Sequence, residues 1–189
     1  MRIVGGRLKG RNIATPTGRN TRPTSDQTRE SLFNILEHAS WAPPLEGAIV
    51  ADIFAGSGAL GLEAISRGAD YCLFVETEAR ARAAIRENVE AMNLFGCTRI
   101  FRRDATSLKI PPSNLRGPFD LVFLDPPYGK GLGEPAIRGL LRQGLMADGG
   151  VFVLEESVEA EVKLPELELL DDRAWGAAKV RFLRKAEPD

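Results

Sequence analysis

The spacing of apolar and polar positions changes several times along the chain, and each change marks an element. Residues 2–14, with Gly5-Gly6 and Gly10 as turn material, predict a β-hairpin or extended arm. Residues 15–24 are rich in Pro, Thr, Gly and Arg and read as a loop. A helix should start near Thr24, which has capping-box spacing to Gln27, with Ser25 as the alternative cap. Leu32, Phe33, Ile35 and Leu36 form its apolar side, and Trp41-Ala42-Pro43-Pro44 ends it. Strand and helix signals then alternate. Ala48–Phe54 is a buried apolar strand, followed by a glycine turn and a helix over about 59–67. Tyr71–Val75 is a second strand ending at Glu76, and a helix over about 78–93 turns Ala83, Ala84, Val89 and Met92 inward. Thr98–Phe101 and Phe119–Leu124 are strands, a helix lies near 134–145, and Val151–Leu154 is a fifth strand. Segments 166–170 and 178–184 close the chain as strands with no clear helix between them. Alternation of this kind predicts an α/β protein whose parallel sheet is covered on both faces, ending in an antiparallel hairpin. The expected organisation is a basic arm over 1–24 and one domain over 25–189.

Composition adds limits. The 189 residues are 43% hydrophobic and 27% charged, ordinary for one globular domain. No apolar run reaches membrane-spanning length, and Met1–Gly6 has no apolar signal core, so the expectation is a cytoplasmic protein without a membrane partner. Cys72 and Cys97 form no Cys-x-x-Cys pair and read as free thiols. With His38 as the single histidine, a catalytic His pair or a His-based metal site is excluded, and no metal is expected. The net charge of −1 conceals an asymmetry: residues 1–30 hold seven basic groups and two acids, a balance of +5 that leaves −6 for the rest. A basic arm on an acidic body is a phosphate-contacting pattern, with a solvated hairpin as the alternative.

Chemistry concentrates at the strand ends. Asp52-Ile53-Phe54-Ala55-Gly56-Ser57-Gly58-Ala59-Leu60-Gly61 follows a strand directly, where glycines let a ligand approach the backbone and a helix pack on the sheet. Gly56-x-Gly58-x-x-Gly61 also matches a dinucleotide fingerprint. Asp52 and Phe54 tilt the choice, because a carboxylate there suits the methionine ammonium of S-adenosylmethionine and would repel a pyrophosphate. Glu76, 18 residues beyond Gly58, can accept both ribose hydroxyls, though a solvated strand end has the same appearance. Asp104 can meet the adenine amine or cap the turn at 105–109, and the two roles are compatible. The sharpest signal is Asp125-Pro126-Pro127-Tyr128 after the fourth strand. A base amine is a weak nucleophile because its lone pair is delocalised into the ring. Asp125 and the Pro126 carbonyl can accept its two N–H groups and localise that pair, while Tyr128 offers a stacking face. Such an amine must be unpaired or flipped to enter. Gly129–Gly133 is either a closing loop, with Lys130 meeting a phosphate, or an ordinary connection.

These residues resemble the RsmD-type small-subunit ribosomal RNA guanine-N2 methyltransferases of bacteria over nearly the whole chain. The resemblance is carried by Arg2–Gly6 with Gly10-Arg11, by Arg22-Pro23-Thr24-x-Asp26, by Arg29-Glu30-x-Leu32-Phe33-Asn34, and by Asp52–Ala64 with Ser66–Ala69. It departs at Trp175-Gly176, where the family tends to Tyr-Gly. It implies a single-domain class I, Rossmann-like methyltransferase fold with a seven-stranded, mostly parallel sheet. It also implies S-adenosylmethionine as donor, 16S rRNA or the small subunit as partner, and a monomer. Arg7, Lys9, Arg11, Arg22 and Lys130 are then the expected substrate-binding residues. The alternatives are an adenine-N6 methyltransferase on RNA or DNA, a nicotinamide oxidoreductase, which leaves Asp125–Tyr128 unexplained, and a non-enzymatic RNA-binding assembly factor.

Overall fold

The computed structural model describes residues 1–17 and 24–187, so the substrate-binding expectation for Arg22 lies outside the described residues. Helix α1 (Asp26–His38) starts on Ser25, whose hydroxyl accepts the Thr28 amide, so the alternative cap is the one used. Strands β1 (Ile49–Ile53), β2 (Tyr71–Val75), β3 (Thr98–Phe101) and β4 (Phe119–Leu124) match their apolar runs and pair in parallel. Helix α2 (Ala59–Ser66) joins β1 to β2, α3 (Ala79–Ala91) lies between β2 and β3, and α4 (Gly133–Arg142) follows β4. Strand β5 (Met146–Ser157) is longer than expected. Its first half contains Asp148-Gly149-Gly150, which reads as a turn, yet the strand pairs with β4 across a register shift between Phe119 and Leu121. Strands β6 (Leu167–Trp175) and β7 (Ala178–Lys185) complete seven strands in the order β3-β2-β1-β4-β5-β7-β6, with β5–β7 and β6–β7 antiparallel. Among the described residues no helix is long and apolar enough to cross a membrane.

The sheet carries a core on each face. Val50, Phe74, Phe123, Val153 and Phe182 pack against α1, α2, α3 and the arm. Ile53, Val75, Val122, Leu124 and Phe152 pack against α4 and the segment around Ala105–Ile110. In α3 the buried positions are Ala81, Ala84, Ile85, Asn88 and Val89, followed by Met92, while Ala83 faces solvent. Ala84, Val89 and Met92 turn inward as expected, and Ile85 takes the place expected of Ala83.

The arm is a narrow loop with a single Arg2–Asn12 bridge and backbone bonds from Ile3 to Arg11 and from Ile13 to Met1, each 2.9 Å. It lies on the α1–α3 face with Ile3, Leu8 and Ile13 buried. Chain order reverses between β1 and β4, the switch point where open parallel sheets hold ligands at the carboxyl ends of their strands.

Candidate functional site

The β1 end turns sharply. Phe54 has φ +59, a left-handed conformation that costs a non-glycine residue energy and tends to persist where a site needs it. Gly58 caps α2 with φ 80, and α2 leans on β2 so closely that a Cβ on Gly61 would lie 2.5 Å from Phe74 and 2.6 Å from the Cys72 sulfur. Gly56 (φ +58) faces open space, so its backbone is accessible to a ligand. Asp52 is buried and holds the turn from below, accepting the Gly61 amide at 3.0 Å. Burial, opposed by that amide and reinforced by Glu76, pushes its carboxyl up to about 8. Glu76, at the end of β2, accepts the Gly56 amide and the Glu78 amide, one on each oxygen at 2.9 Å. Each oxygen keeps a second lone pair for a hydroxyl. Asp104 is exposed and accepts the Thr106 amide and hydroxyl, so the capping role is realised.

The β4 end lies next to this turn, since the Asp125 amide donates to the Ile53 carbonyl at 3.3 Å and extends the β1–β4 pairing. Pro126 is buried, and Asp125 and Tyr128 are partly accessible. Burial, and then the charges of Glu155, Asp52 and Glu156, push the Asp125 carboxyl well above the usual range. The Tyr128 hydroxyl donates to Glu155 at 2.6 Å, and the Gly129 amide donates to Glu156 at 3.0 Å. Two acids at the end of β5 therefore tie down the segment after the double proline. Burial also raises the Glu155 carboxyl, while the Tyr128 bond lowers it. The sequence drew no attention to Glu155 or Glu156, since a glutamate near a strand end normally meets solvent. Gly129 and Gly131 both have positive φ beside a cavity of about 250 Å³ that Glu134, Glu156 and Val162 help to line, and Lys130 is exposed next to it.

The arm's cations are placed differently. Arg7 and Lys9 are exposed, but the Arg7 amide bonds the Ser66 carbonyl at the C-terminus of α2, the end away from Gly58. The Arg11 guanidinium donates to Ala91 at the C-terminus of α3. These residues sit at the opposite end of the helices from Asp125. A larger cavity, about 570 Å³, lies there too, bordered by Arg7, Glu37, Glu46, Arg67 and Cys97 and away from both motifs. Arg29 is fully buried and holds the Arg2 and Thr24 carbonyls, the Met1 sulfur and Asp26, so it is no phosphate contact. Glu63, also fully buried, accepts the Val4 and Gly5 amides at 3.1 Å and pairs with Arg67 at 3.2 Å.

The geometry fits what the chain is similar to. Residues 1–184 match the model of the family described as conserved hypothetical protein 95. The Ribosomal RNA small subunit methyltransferase D of Escherichia coli is 36% identical over 159 residues, covering 84% of this chain and 76% of that protein. A Bacillus subtilis protein provisionally named as an rRNA methyltransferase is 35% identical over 166 residues, covering 88% and 86%. A solved Escherichia coli structure, provisionally named methyltransferase yhhF, superposes with a TM-score of 0.79 at 33% identity over 98% of this chain and 97% of that one. The seven-stranded sheet, the two strand-end motifs and the match over nearly its whole length together place this chain in that family, the RsmD family of class I methyltransferases.

Proposed function

We propose that this methyltransferase transfers a methyl group from S-adenosylmethionine to the exocyclic N2 amine of a flipped guanine in 16S small-subunit rRNA, acting as a cytoplasmic monomer. The observation that carries this reading is the position of Asp125-Pro126-Pro127-Tyr128, at the end of β4 and hydrogen-bonded to the β1 turn at the switch point. The names of the relatives support small-subunit rRNA as the substrate.

The residues present suit a cationic donor. Asp52 and Asp125 are acids raised by burial, and no lysine or arginine contributes to either. A positive ligand would relieve both. Asp52 and Phe54 would face its methionine part, the Gly56–Gly58 turn would admit its backbone-hugging portion, Glu76 would accept the ribose hydroxyls and Asp104 would stand near the base. The donor supplies an electrophilic methyl on positive sulfur. Asp125 and the Pro126 carbonyl take the two N–H groups of the target amine and localise its lone pair. Tyr128 holds the base by stacking, its ring anchored through Glu155. Asp125, with its raised proton affinity, then accepts the proton that the methylated amine gives up.

The test is mass spectrometry of rRNA nucleosides from cells with and without the gene. Loss of one N2-methylguanosine from small-subunit rRNA is expected. An unchanged nucleoside profile, or loss of N6-methyladenosine instead, would sink the assignment.

A further inference from the structure

The motif after β4 serves any exocyclic amine, so the choice of guanine over adenine must come from another group at the same site. The β4–β5 register supplies one. Leu124 lies opposite Leu154 in parallel pairing, so one residue further Asp125, just past the end of β4, comes beside Glu155, which is still within β5. Side chains alternate along a strand. Phe123 and Val153 share one face core, the parity of β5 puts Glu155 on that same side, and the charge of Glu155 acts on Asp125. Glu155 is held firmly: its backbone lies opposite Val180 in the antiparallel β5–β7 pairing, and its carboxylate accepts the Tyr128 hydroxyl at 2.6 Å. The residue that stacks the base therefore also fixes the second carboxylate. That carboxylate retains further lone pairs for a donor on the base.

The two candidate bases differ at the atom beside the reacting amine. Guanine presents N1–H, a donor, next to its N2 amine. Adenine presents a bare N1, an acceptor, next to its N6 amine. A pair of adjacent carboxylates matches the guanine edge and sets a lone pair against a lone pair with adenine. We propose that Glu155 is a specificity-determining residue, whose carboxylate accepts the N1–H of the target guanine while Asp125 accepts from its N2 amine. This rests on the guanine-N2 reading above and names the residue that reads the base. Loss of a matched donor–acceptor pair at a base edge changes discrimination by about ten- to a hundredfold.

The test uses small subunits reconstituted with rRNA in which the mapped target is either guanosine or 2-aminopurine riboside, which keeps the 2-amino group but lacks N1–H. For the parent enzyme, kcat/KM should be about ten- to a hundredfold lower on 2-aminopurine. Glu155→Gln offers an amide N–H to the bare N1, so its guanosine rate should fall and the ratio between the substrates should narrow about tenfold or more. Tyr128→Phe frees Glu155 from the hydroxyl but leaves the carboxylate, so it should lower both rates and keep the parental ratio. If Glu155 only props Tyr128, Glu155→Gln will lower both substrates by one factor with the ratio unchanged, which overturns the assignment while the guanine-N2 reading stands. Methyl transferred by the parent to an adenine N6 removes that reading and the role of Glu155 together.

Discussion

Two regions of this protein bury ionisable groups, and they do so in opposite ways. Under the arm, Glu63 and Arg29 are fully enclosed, yet each is surrounded by partners. Glu63 has the Val4 and Gly5 amides and Arg67, and Arg29 has two carbonyls and Asp26. At the strand ends, Asp52 has one backbone amide, Asp125 has acidic neighbours, and the charges acting on both raise them further. A compensated buried charge ties a fold together, whereas a buried acid without a cation stores an affinity for one. Glu63 shows the contrast among buried carboxyls: burial raises it, but Val4 and Arg67 pull it back. Nothing comparable from a cation reaches Asp125.

The largest effect expected from this contrast is on the arm side. Arg29→Leu removes the partner of Asp26 and leaves the Arg2 and Thr24 carbonyls unmet, so unfolding should become about 3–5 kcal/mol easier. Chemical denaturation measures this, and a change under 1 kcal/mol would show that the arm's network is not structural. Asp125→Ala should do the reverse. Turnover falls by about 10²–10³, worth roughly 2.7–4 kcal/mol in barrier, while stability holds or rises because an acid raised by burial has been removed. Asp125→Asn should keep part of the rate through its remaining acceptor. A parental turnover rate in Asp125→Ala would move the amine site elsewhere.

The sequence made one of these regions legible and hid the other. Asp52–Gly61 and Asp125–Tyr128 are compact motifs whose glycines and prolines have few other uses, and the apolar runs around them located β1 to β4 within a residue or two. Glu155 could be recognised only through strand register, which lines it up with Asp125 across thirty positions of chain. Arg29 and Glu63 were opaque for another reason. Charged residues in helices ordinarily face solvent, so Arg29 counted toward the +5 of residues 1–30 although it is enclosed. The arm was legible as a turn-rich segment but not as a layer of the core, because what it packs on lies about sixty positions further along.

Asp52 carries the contrast into pH dependence. Its carboxyl is raised from 3.8 to about 8 in the fold, so the folded state holds a proton that the unfolded chain releases. Stability from this group is complete below about pH 4, declines as pH rises toward 8, and is level above that. Asp52→Asn keeps an acceptor for the Gly61 amide and cannot ionise. Its melting temperature should match the parent near pH 4 and clearly exceed it at pH 9. Parallel melting curves across that range would mean that Asp52 is already compensated, and the contrast with Glu63 would fail.

The smallest effect concerns the arm's exposed cations, where deletion is the wrong tool. Removing residues 1–17 would strip the amides from Glu63, uncover Ser66 and Asn88, and confuse loss of binding with loss of folding. Charge removal at the surface separates the two. Arg7 and Lys9 project into solvent at the α2 C-terminus, and Arg11 reaches the α3 C-terminus. RNA held by these residues would be gripped at the far end of the helices from Asp125, so their contacts add affinity without aligning the target base. The triple substitution Arg7→Gln, Lys9→Gln, Arg11→Gln should therefore raise KM for the ribosomal substrate and leave kcat at saturation near the parental rate. Each lost phosphate contact lowers the log–log salt slope by about 0.7, so three would lower it by about 2. RNA affinity measured at several salt concentrations gives the count directly. If the slopes coincide while the melting temperature falls, the arm is core layer alone and the charge asymmetry of the sequence has no binding role. If the slope falls and kcat falls with it, the arm reaches the target base after all, and the separation of a gripping end from a reacting end is wrong.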